Sequence, residues 1–434
     1  ATGLESDKLS AEAARVQFEG WFGEAMRRMG PDPAQHTLRV NHTDSWECGG
    51  QSWSPGFREG FRARRGYDPL PWLPVFAGIP VASAERSERF LHDVRQTLDD
   101  MIVEEYYETM VGLTHAAGAR FSMESIAPVM PSDGMRLYGR GDIPMGEFWL
   151  ASPDHDKPND VRDAVSAAHI YGKPVVQAEA FTQISANFDE TPGLLARLGD
   201  HNLAVGVNRF AFHVWAQQAF PERPGPGVTL KGIGVPFGGT QTWHRPAEAW
   251  FRSIPRKQAL LQWGLPVIDF CVFNGEEIPS RAYPPQDLPV AIPAGFAWDT
   301  LNREVLLGDA RVEAGRLKLG SGMEYRFLVL GDSRRMSLPV AKRIGQFAEA
   351  GLPVIGDAPT ATPGLEGFPE SERHLEAIVR ETWKRVLPLN RLSEAIEEAG
   401  LAPDLDLPGV DPQPVFREPE QYASPSVSWN HRAG

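Results

Sequence analysis

The stretch VNHTDSWECGG, residues 40–50, places an imidazole, two carboxylates and an indole directly after a short strand-like run. Its chemistry-bearing side chains are those of His42, Asp44, Trp46 and Glu47. An indole wall beside Glu47 would exclude water and raise the pKa of that carboxyl. A carboxyl that stays protonated near neutral pH is the usual proton donor in glycoside hydrolysis. The stretch therefore predicts an acid–base site.

A second carboxylate of this kind is Glu179, in the segment KPVVQAEAFT. A glycosidase uses two carboxylates, one to protonate the leaving oxygen and one to activate water or attack the anomeric carbon. We therefore predict Glu47 and Glu179 as the catalytic pair. The alternative for either glutamate is a structural role, in which it caps a loop or pairs with an arginine such as Arg209.

Further candidate sugar ligands lie near the ends of other predicted strands or in loops. Polar groups there can bond sugar hydroxyls, and an indole offers an apolar face on which a pyranose can stack. A strand histidine or a tryptophan is also a common core residue. The predicted substrate-binding residues are Asp44, Trp46, Glu124, His213 and Trp243.

The segment GRGDIPMGEFW, residues 139–149, contains glycines and a proline, which favour a loop. Its acids Asp142 and Glu147 could bind a hard cation, since calcium accepts irregularly spaced oxygen ligands. No EF-hand pattern is present, so solvated loop acids are the simpler interpretation of the spacing.

The secondary-structure elements that must position these residues alternate between helix and strand along the chain. The strands are short and rich in Val, Phe and Ala, which is typical of parallel strands covered by helices. Each ends in polar or acidic residues, as in a (β/α)8 barrel, whose active site lies at the carboxyl ends of its strands. Five strands cannot close an eight-stranded barrel, so we expect earlier strands outside this chain. The predicted strands are TLRVN, ARFSMES, KPVVQAEAFT, VNRFAFHVW and LPVIDFCVFNGEE.

A proline-dense segment, IPSRAYPPQDLPVAIPAG, separates these units from a second βαβ pattern. The predicted fold class is α/β, with a partial (β/α)8-type barrel followed by a small flavodoxin- or amidotransferase-like α/β domain. The predicted limits are 1–287 for the C-terminal portion of the barrel, 288–390 for the small domain, and 391–434 for a linker and the start of a truncated β domain.

The amino-acid composition and net charge restrict the classes of molecule that the protein is expected to bind. The chain has 434 residues, of which 42% are hydrophobic and 23% charged, with a formal net charge of −14. An acidic protein is a poor partner for nucleic acid or an anionic membrane and suits a neutral or cationic ligand. No apolar run approaches the roughly 18 residues of a membrane span, and no signal peptide opens the chain. Cys48 and Cys271 are expected to be free thiols.

Long segments of the chain resemble glycoside hydrolase family 106, the α-L-rhamnosidases. The resemblance covers nearly the whole chain, and its motifs occur in the family's order. Members of that family are longer, with barrel strands before GLESDK and β-sandwich domains on both sides. The matching segments are GLESDKLS, DSWECGGQSWSPGFREGFRARRGYDPLPWLP, ERSERFLHDVRQTL, GEFW, AEAFT, GVNRFAFHVW, RKQALLQWGLPVIDFCVF, GFAWDTLNREVLL and GMEYRFLVL.

The resemblance implies a calcium-dependent enzyme that removes terminal α-L-rhamnose with inversion from a rhamnose-containing glycoside or oligosaccharide. It implies that Glu47 is the general acid, that Glu179 is the general base and that Glu147 is a Ca²⁺ ligand. A bacterial protein of the periplasm or the extracellular space is expected, and its oligomeric state stays open.

Two alternatives stay open from the residues alone. The first is a retaining, β-galactosidase-like barrel glycosidase, whose carboxyls lie about 5–5.5 Å apart, compared with about 6.5–9.5 Å in an inverting enzyme. The second is a non-catalytic carbohydrate-binding barrel, against which the presence of both Glu47 and Glu179 counts.

Overall fold

The computed structural model describes residues 5–31, 36–124, 129, 131–152, 158–184, 188–220, 222, 225, 227–230, 232–331, 333–406 and 427–434. Within them the chain forms a curled, five-stranded parallel half-barrel sheet and then a four-stranded parallel sheet. The predicted α/β class with a partial barrel is thereby confirmed. None of the helices in this part of the chain is long and apolar enough to cross a membrane.

The strands are β1 (Val40–Thr43), β2 (Arg120–Met123), β3 (Ile143–Trp149), β4 (Gln177–Thr182), β5 (Arg209–Phe212), β6 (Leu265–Pro266), β7 (Phe270–Phe273), β8 (Trp298–Leu301), β9 (Arg311–Glu313), β10 (Arg316–Lys318), β11 (Glu324–Tyr325), β12 (Phe327–Leu330), β13 (Val354–Ile355) and β14 (Arg432–Ala433). The α-helices are α1 (Ala11–Gly20), α2 (Phe22–Met29), α3 (Phe57–Arg65), α4 (Ala84–Met101), α5 (Glu108–Ala116), α6 (Gly134–Arg140), α7 (Pro158–Tyr171), α8 (Pro192–Val205), α9 (Glu248–Leu261), α10 (Arg303–Leu307), α11 (Leu338–Glu349), α12 (Glu370–Thr382) and α13 (Leu392–Glu398). A π-helical segment, Ile102–Tyr107, joins α4 to α5.

The half-barrel sheet has the order β1-β2-β3-β4-β5, and every neighbouring pair is parallel. Parallel neighbours need a long crossover connection, and helices such as α7 and α8 supply it on the way from β3 to β5. All five strands therefore end at the same edge of the sheet. This is the edge at which barrel enzymes build their active sites.

The loop prediction for residues 139–149 is wrong, because Ile143–Trp149 is a central strand of the half-barrel. Pro144 and Gly146 obscured it, since both residue types are depleted in strand interiors. The glycine has a packing function. A Cβ built on Gly146 would lie 2.7 Å from the carbonyl oxygen of Asp160, so the missing side chain lets α7 pack directly on β3.

The Gly146→Ala variant is expected to destabilise the protein by about 1–3 kcal/mol, because the α7 backbone must move away from β3. Urea denaturation of the variant and the parent would measure the difference. Gly112→Ala is the matched control, since Gly112 lies in α5 and a Cβ added to it would meet nothing within 4 Å. That substitution should be neutral or stabilise by up to about 1 kcal/mol. Equal effects of the two substitutions would contradict the packing argument.

The strand predicted from LPVIDFCVFNGEE also needs correction. Phe270–Phe273 does not extend the half-barrel but lies in the second sheet, whose order is β13-β12-β7-β8. All four of its residues are buried, which indicates a strand covered on both faces but does not identify its sheet.

The domain limits at 287 and 390 stay predictions, and residues 407–426 of the last predicted unit lie outside the described part.

Candidate active site

Carboxylates from neighbouring strands meet at the carboxyl edge of the half-barrel sheet. The parallel register pairs Glu147 of β3 with Glu179 of β4, so both side chains point to the same face. Glu124 directly follows β2, and its N–H donates to the carbonyl oxygen of Thr43 at the end of β1 (2.9 Å). The register of four strands therefore gathers acids that are far apart in the sequence.

Glu124 is the most deeply buried of these three glutamates, with 2% of its surface exposed. Burial raises its pKa well above the usual value, and the charges of Glu179, Asp44, Glu147 and Asp160 raise it further. Among the described residues none offers a hydrogen bond to its Oε1 atom. A buried carboxyl among like charges either keeps its proton or takes a cation as partner.

The side chains of His42, Asp44 and Glu124 form a group that could hold a metal ion. Each offers one ligand atom, and these atoms all lie within 4.8 Å of one another. The carboxylate oxygens suit calcium, whereas imidazole is more typical of transition metals. Glu147, which is 6% exposed, is not a member of this group, so its predicted role as a calcium ligand stays a prediction.

Asp142 does not share a site with Glu147. It precedes β3, where its Oδ2 lies 2.8 Å from Nε2 of His115 and accepts a hydrogen bond from the N–H of Phe121 (2.7 Å). At about 3.3 Å per residue, five residues of strand separate the two acids by about 16 Å. The two acids therefore do not share one cation site, which was the alternative that the sequence left open beside solvated loop acids.

Glu179 is half-buried, with 17% of its side chain exposed. Its Oε1 atom accepts a hydrogen bond from the hydroxyl of Thr182 and lies 3.8 Å from Nδ1 of His213. Burial lowers the pKa of His213, against the opposing effect of the Asp44 and Glu147 charges. A neutral imidazole can both donate to and accept from sugar hydroxyls, which agrees with the predicted role of His213 in binding.

Glu47 is exposed in the loop that follows β1, at the same edge of the sheet as Glu179. The hydroxyl of Ser45 donates to its Oε1 (3.3 Å). Strands β1 and β4 are three spacings apart, which is about 14 Å along a flat sheet. The curl of the half-barrel is therefore what must bring the two carboxyls within reach of one sugar.

The two predicted indoles differ in accessibility, since Trp46 is buried and Trp243 is partly exposed. Trp46 is 4% exposed, and its Nε1–H donates to the carbonyl oxygen of Gly49 (2.7 Å). Trp243 packs against Phe237 and Phe251, with ring centroids 6.0 and 6.4 Å away. Contact of Trp46 or Trp243 with a sugar stays a prediction. The burial of Trp46 argues against a direct contact between its ring and the sugar.

Three residues of the site were absent from the predicted set. His42 was recognised as a chemistry-bearing side chain but given no role, although it stands two positions before Asp44 and an extended backbone places both side chains on one face. Asp160 lies in the first turn of α7, where burial raises its pKa to about 7 against the opposing charge of Arg281. Thr182 reaches Glu179 only through an irregularity of β4, for which the sequence carries no signal.

Comparison with known proteins shows the family to which the chain belongs. The family model of glycoside hydrolase family 106, described as alpha-L-rhamnosidase, matches residues 1–434. A protein of Formosa agariphila, provisionally named a beta-glucuronidase, is 34% identical over 386 residues. That alignment covers 89% of this chain and 32% of the relative, so the chain spans about a third of the relative's length.

Solved structures show the same resemblance. A rhamnosidase from Novosphingobium sp. PP1Y has a TM-score of 0.85 and 31% identity, over 95% of this chain and 41% of the other. A beta-galactosidase from Bacillus circulans sp. alkalophilus has a TM-score of 0.52 and 13% identity, over 82% and 56% of the two chains. The second likeness concerns the fold alone.

Proposed function

The chain belongs to glycoside hydrolase family 106, the alpha-L-rhamnosidases, and from that premise we propose that it carries the catalytic site of an inverting, calcium-assisted α-L-rhamnosidase. The observation that carries the proposal is the cluster of carboxylates at the carboxyl edge of the half-barrel, with Glu124 buried in it and Glu179 partly exposed. The substrate class is a glycoside or oligosaccharide with a terminal α-L-rhamnose.

In the proposed mechanism Glu47 donates its proton to the glycosidic oxygen as the bond from that oxygen to the anomeric carbon breaks. Glu179 takes a proton from a water molecule that attacks the opposite face of the ring, so the product has the inverted configuration. Both groups act in general acid–base catalysis. Because Glu47 is exposed in the structure, it is the bound substrate that has to cover it and exclude water around it.

The donor set at the site fits a calcium ion. The carboxylates of Asp44 and Glu124 would hold it, together with that of Glu147 as the resemblance implies. Within the described part of the chain Oε1 of Glu124 has no hydrogen-bond partner, which supports its assignment as a ligand. When bound, calcium supplies positive charge that fixes sugar hydroxyls. The nitrogen of His42 suits calcium less well than an oxygen, so His42 is better placed as a sugar ligand beside the ion.

One observation favours the retaining alternative. Glu147 and Glu179 are register partners on neighbouring strands, whose backbones lie about 4.8 Å apart, so their carboxyls project side by side from one face of the sheet, as a closely spaced retaining pair requires. In that arrangement Glu147 would be a catalytic group and not a metal ligand. The configuration of the first sugar product distinguishes the two hypotheses.

Nitrophenyl α-L-rhamnoside is expected to be hydrolysed, with β-L-rhamnose as the first product seen by proton NMR before mutarotation. Matched nitrophenyl β-D-galactoside and β-D-glucuronide serve as controls and should release no nitrophenol. Release of α-L-rhamnose first would support the retaining alternative. Hydrolysis of only the galactoside or the glucuronide would overturn the proposed substrate.

A further inference from the structure

The strand that carries Glu179 contains a β-bulge. The register of β3 with β4 pairs Phe148 with Ala180 and then Trp149 with Thr182, so that Phe181 is an extra residue. In a regular strand, residues three positions apart point to opposite faces of the sheet. The extra residue reverses this, so the side chain of Thr182 lies on the same face as that of Glu179.

Phe181 adopts a left-handed backbone conformation, with φ of 70°. This conformation is unfavourable for a bulky residue and persists only when its surroundings hold it. The ring is fully buried among other aromatic rings, on the side of the sheet opposite Glu179. Its ring neighbours are Phe148, Trp250, Phe210, Phe212 and Phe237, with centroids 5.1, 5.9, 5.6, 5.8 and 6.0 Å away.

The bulge fixes the hydroxyl of Thr182 against a carboxylate oxygen. The N–H of Leu150 donates to the Thr182 carbonyl (2.7 Å), which anchors the backbone, and the side chain is buried. The Thr182 hydroxyl donates to Oε1 of Glu179. A charge-assisted bond of this kind fixes the rotation of the carboxylate as well as stabilising it.

We infer that Thr182 is a positioning residue for Glu179, delivered to the site by the bulge at Phe181 and its aromatic surroundings. The inference rests on the proposed function of Glu179 as general base. A base must present its oxygen to water in one geometry, and displacement by about 1 Å can cost about 10²-fold in rate. Thr182 itself touches neither sugar nor water in this role.

The test compares Thr182→Val, which keeps the side-chain shape but removes the hydroxyl, with Thr182→Ser, which keeps the hydroxyl. We expect Thr182→Val to lower kcat on nitrophenyl α-L-rhamnoside by about 10–100-fold with KM nearly unchanged. Thr182→Ser should stay within about threefold of the parent, because the bond survives. Loss in both variants, or loss through KM alone, would overturn the inference.

A double variant separates positioning from general damage. In Glu179→Ala, azide can replace the activated water, and adding Thr182→Val should leave the azide-rescued rate unchanged. A further drop of that rate would show that Thr182 acts on something other than Glu179. The rescued product, a rhamnosyl azide, is identified by mass spectrometry.

Crystal structures of both single variants give a readout that needs no activity. The Glu179 carboxylate should rotate away from its position in Thr182→Val and keep that position in Thr182→Ser. An unmoved Glu179 in Thr182→Val overturns the inference. Absence of rhamnosidase activity in the parent would instead refute the proposed function and leave this structural test in place. Thr182→Ala is the second variant if the valine does not yield folded protein.

Discussion

The Glu179→Gln variant is expected to lower kcat on nitrophenyl α-L-rhamnoside by about 10²–10⁴-fold, the usual contribution of a general base. An amide has the shape of the carboxylate and can still accept the hydrogen bond of Thr182, but it cannot take a proton from water. KM should change little, because the lost interaction is made only in the transition state. Initial-rate kinetics over a range of substrate concentrations measure both constants.

Glu47→Gln is the companion variant. The dependence of its kcat/KM on the leaving group tests whether Glu47 is the general acid. Nitrophenolate leaves without much protonation, whereas an alkoxide leaving group needs a proton from Glu47. The loss of kcat/KM should therefore be much larger for an alkyl or disaccharide rhamnoside than for the nitrophenyl substrate. Glu179→Gln should affect both substrates to a similar degree.

The control for both variants is Glu59→Gln, an exposed glutamate of α3 that should leave kinetics and melting temperature unchanged. Turnover near the parent level in Glu179→Gln or Glu47→Gln would remove that residue from the mechanism. An equal loss with both leaving groups in Glu47→Gln would show that Glu47 is not the acid.

Removal of divalent cations with a chelator is expected to abolish most of the rhamnosidase activity, and added calcium should restore it. The physical reason is the cluster itself, since its carboxylates repel one another until a cation is bound. Glu124→Gln should weaken calcium binding by about 100-fold or more, because it removes a charge from the cluster. Isothermal titration of the calcium-free protein measures the affinity directly.

Calcium affinity should also depend on pH in a fixed direction. Burial and the neighbouring carboxylates raise the pKa of Glu124, so below that pKa the ion has to displace a proton. Affinity should therefore rise with pH, with proton release seen as a dependence of the binding heat on the buffer. This dependence should be weaker in Glu124→Gln and unchanged in Glu59→Gln. Activity that survives thorough chelation would show that calcium is not required, and it would not affect the roles proposed for Glu47 and Glu179.

The positions of the strand ends could be predicted from the sequence because buried parallel strands are short apolar runs with polar residues after them. Glu124 and Glu179 were found in this way, and the structure places both at the same edge of the half-barrel. The strand Ile143–Trp149 was missed because Gly146 serves a contact with α7. Gly146 favours a strand only once the close packing of α7 on β3 is known, and the sequence alone does not show that packing.

Other features depend on register and pairing, which local residue patterns do not encode. Phe270–Phe273 looks like a barrel strand but pairs with β12 and β8 in the second sheet. Thr182 reaches Glu179 only because the bulge at Phe181 shifts the alternation of β4 by one residue. The group of His42, Asp44 and Glu124 likewise depends on how β1 and β2 align.

A crystal structure of the Glu179→Gln variant with an intact aryl α-L-rhamnoside tests the central claim most directly, because it places the anomeric carbon relative to both catalytic groups. The sugar is expected at the carboxyl edge of the half-barrel, with Glu47 within hydrogen-bond distance of the glycosidic oxygen. The carboxyl of Glu47 and the amide of the substituted side chain should lie about 6.5–9.5 Å apart on opposite faces of the ring. A sugar bound elsewhere, or one that Glu47 does not reach, would contradict it.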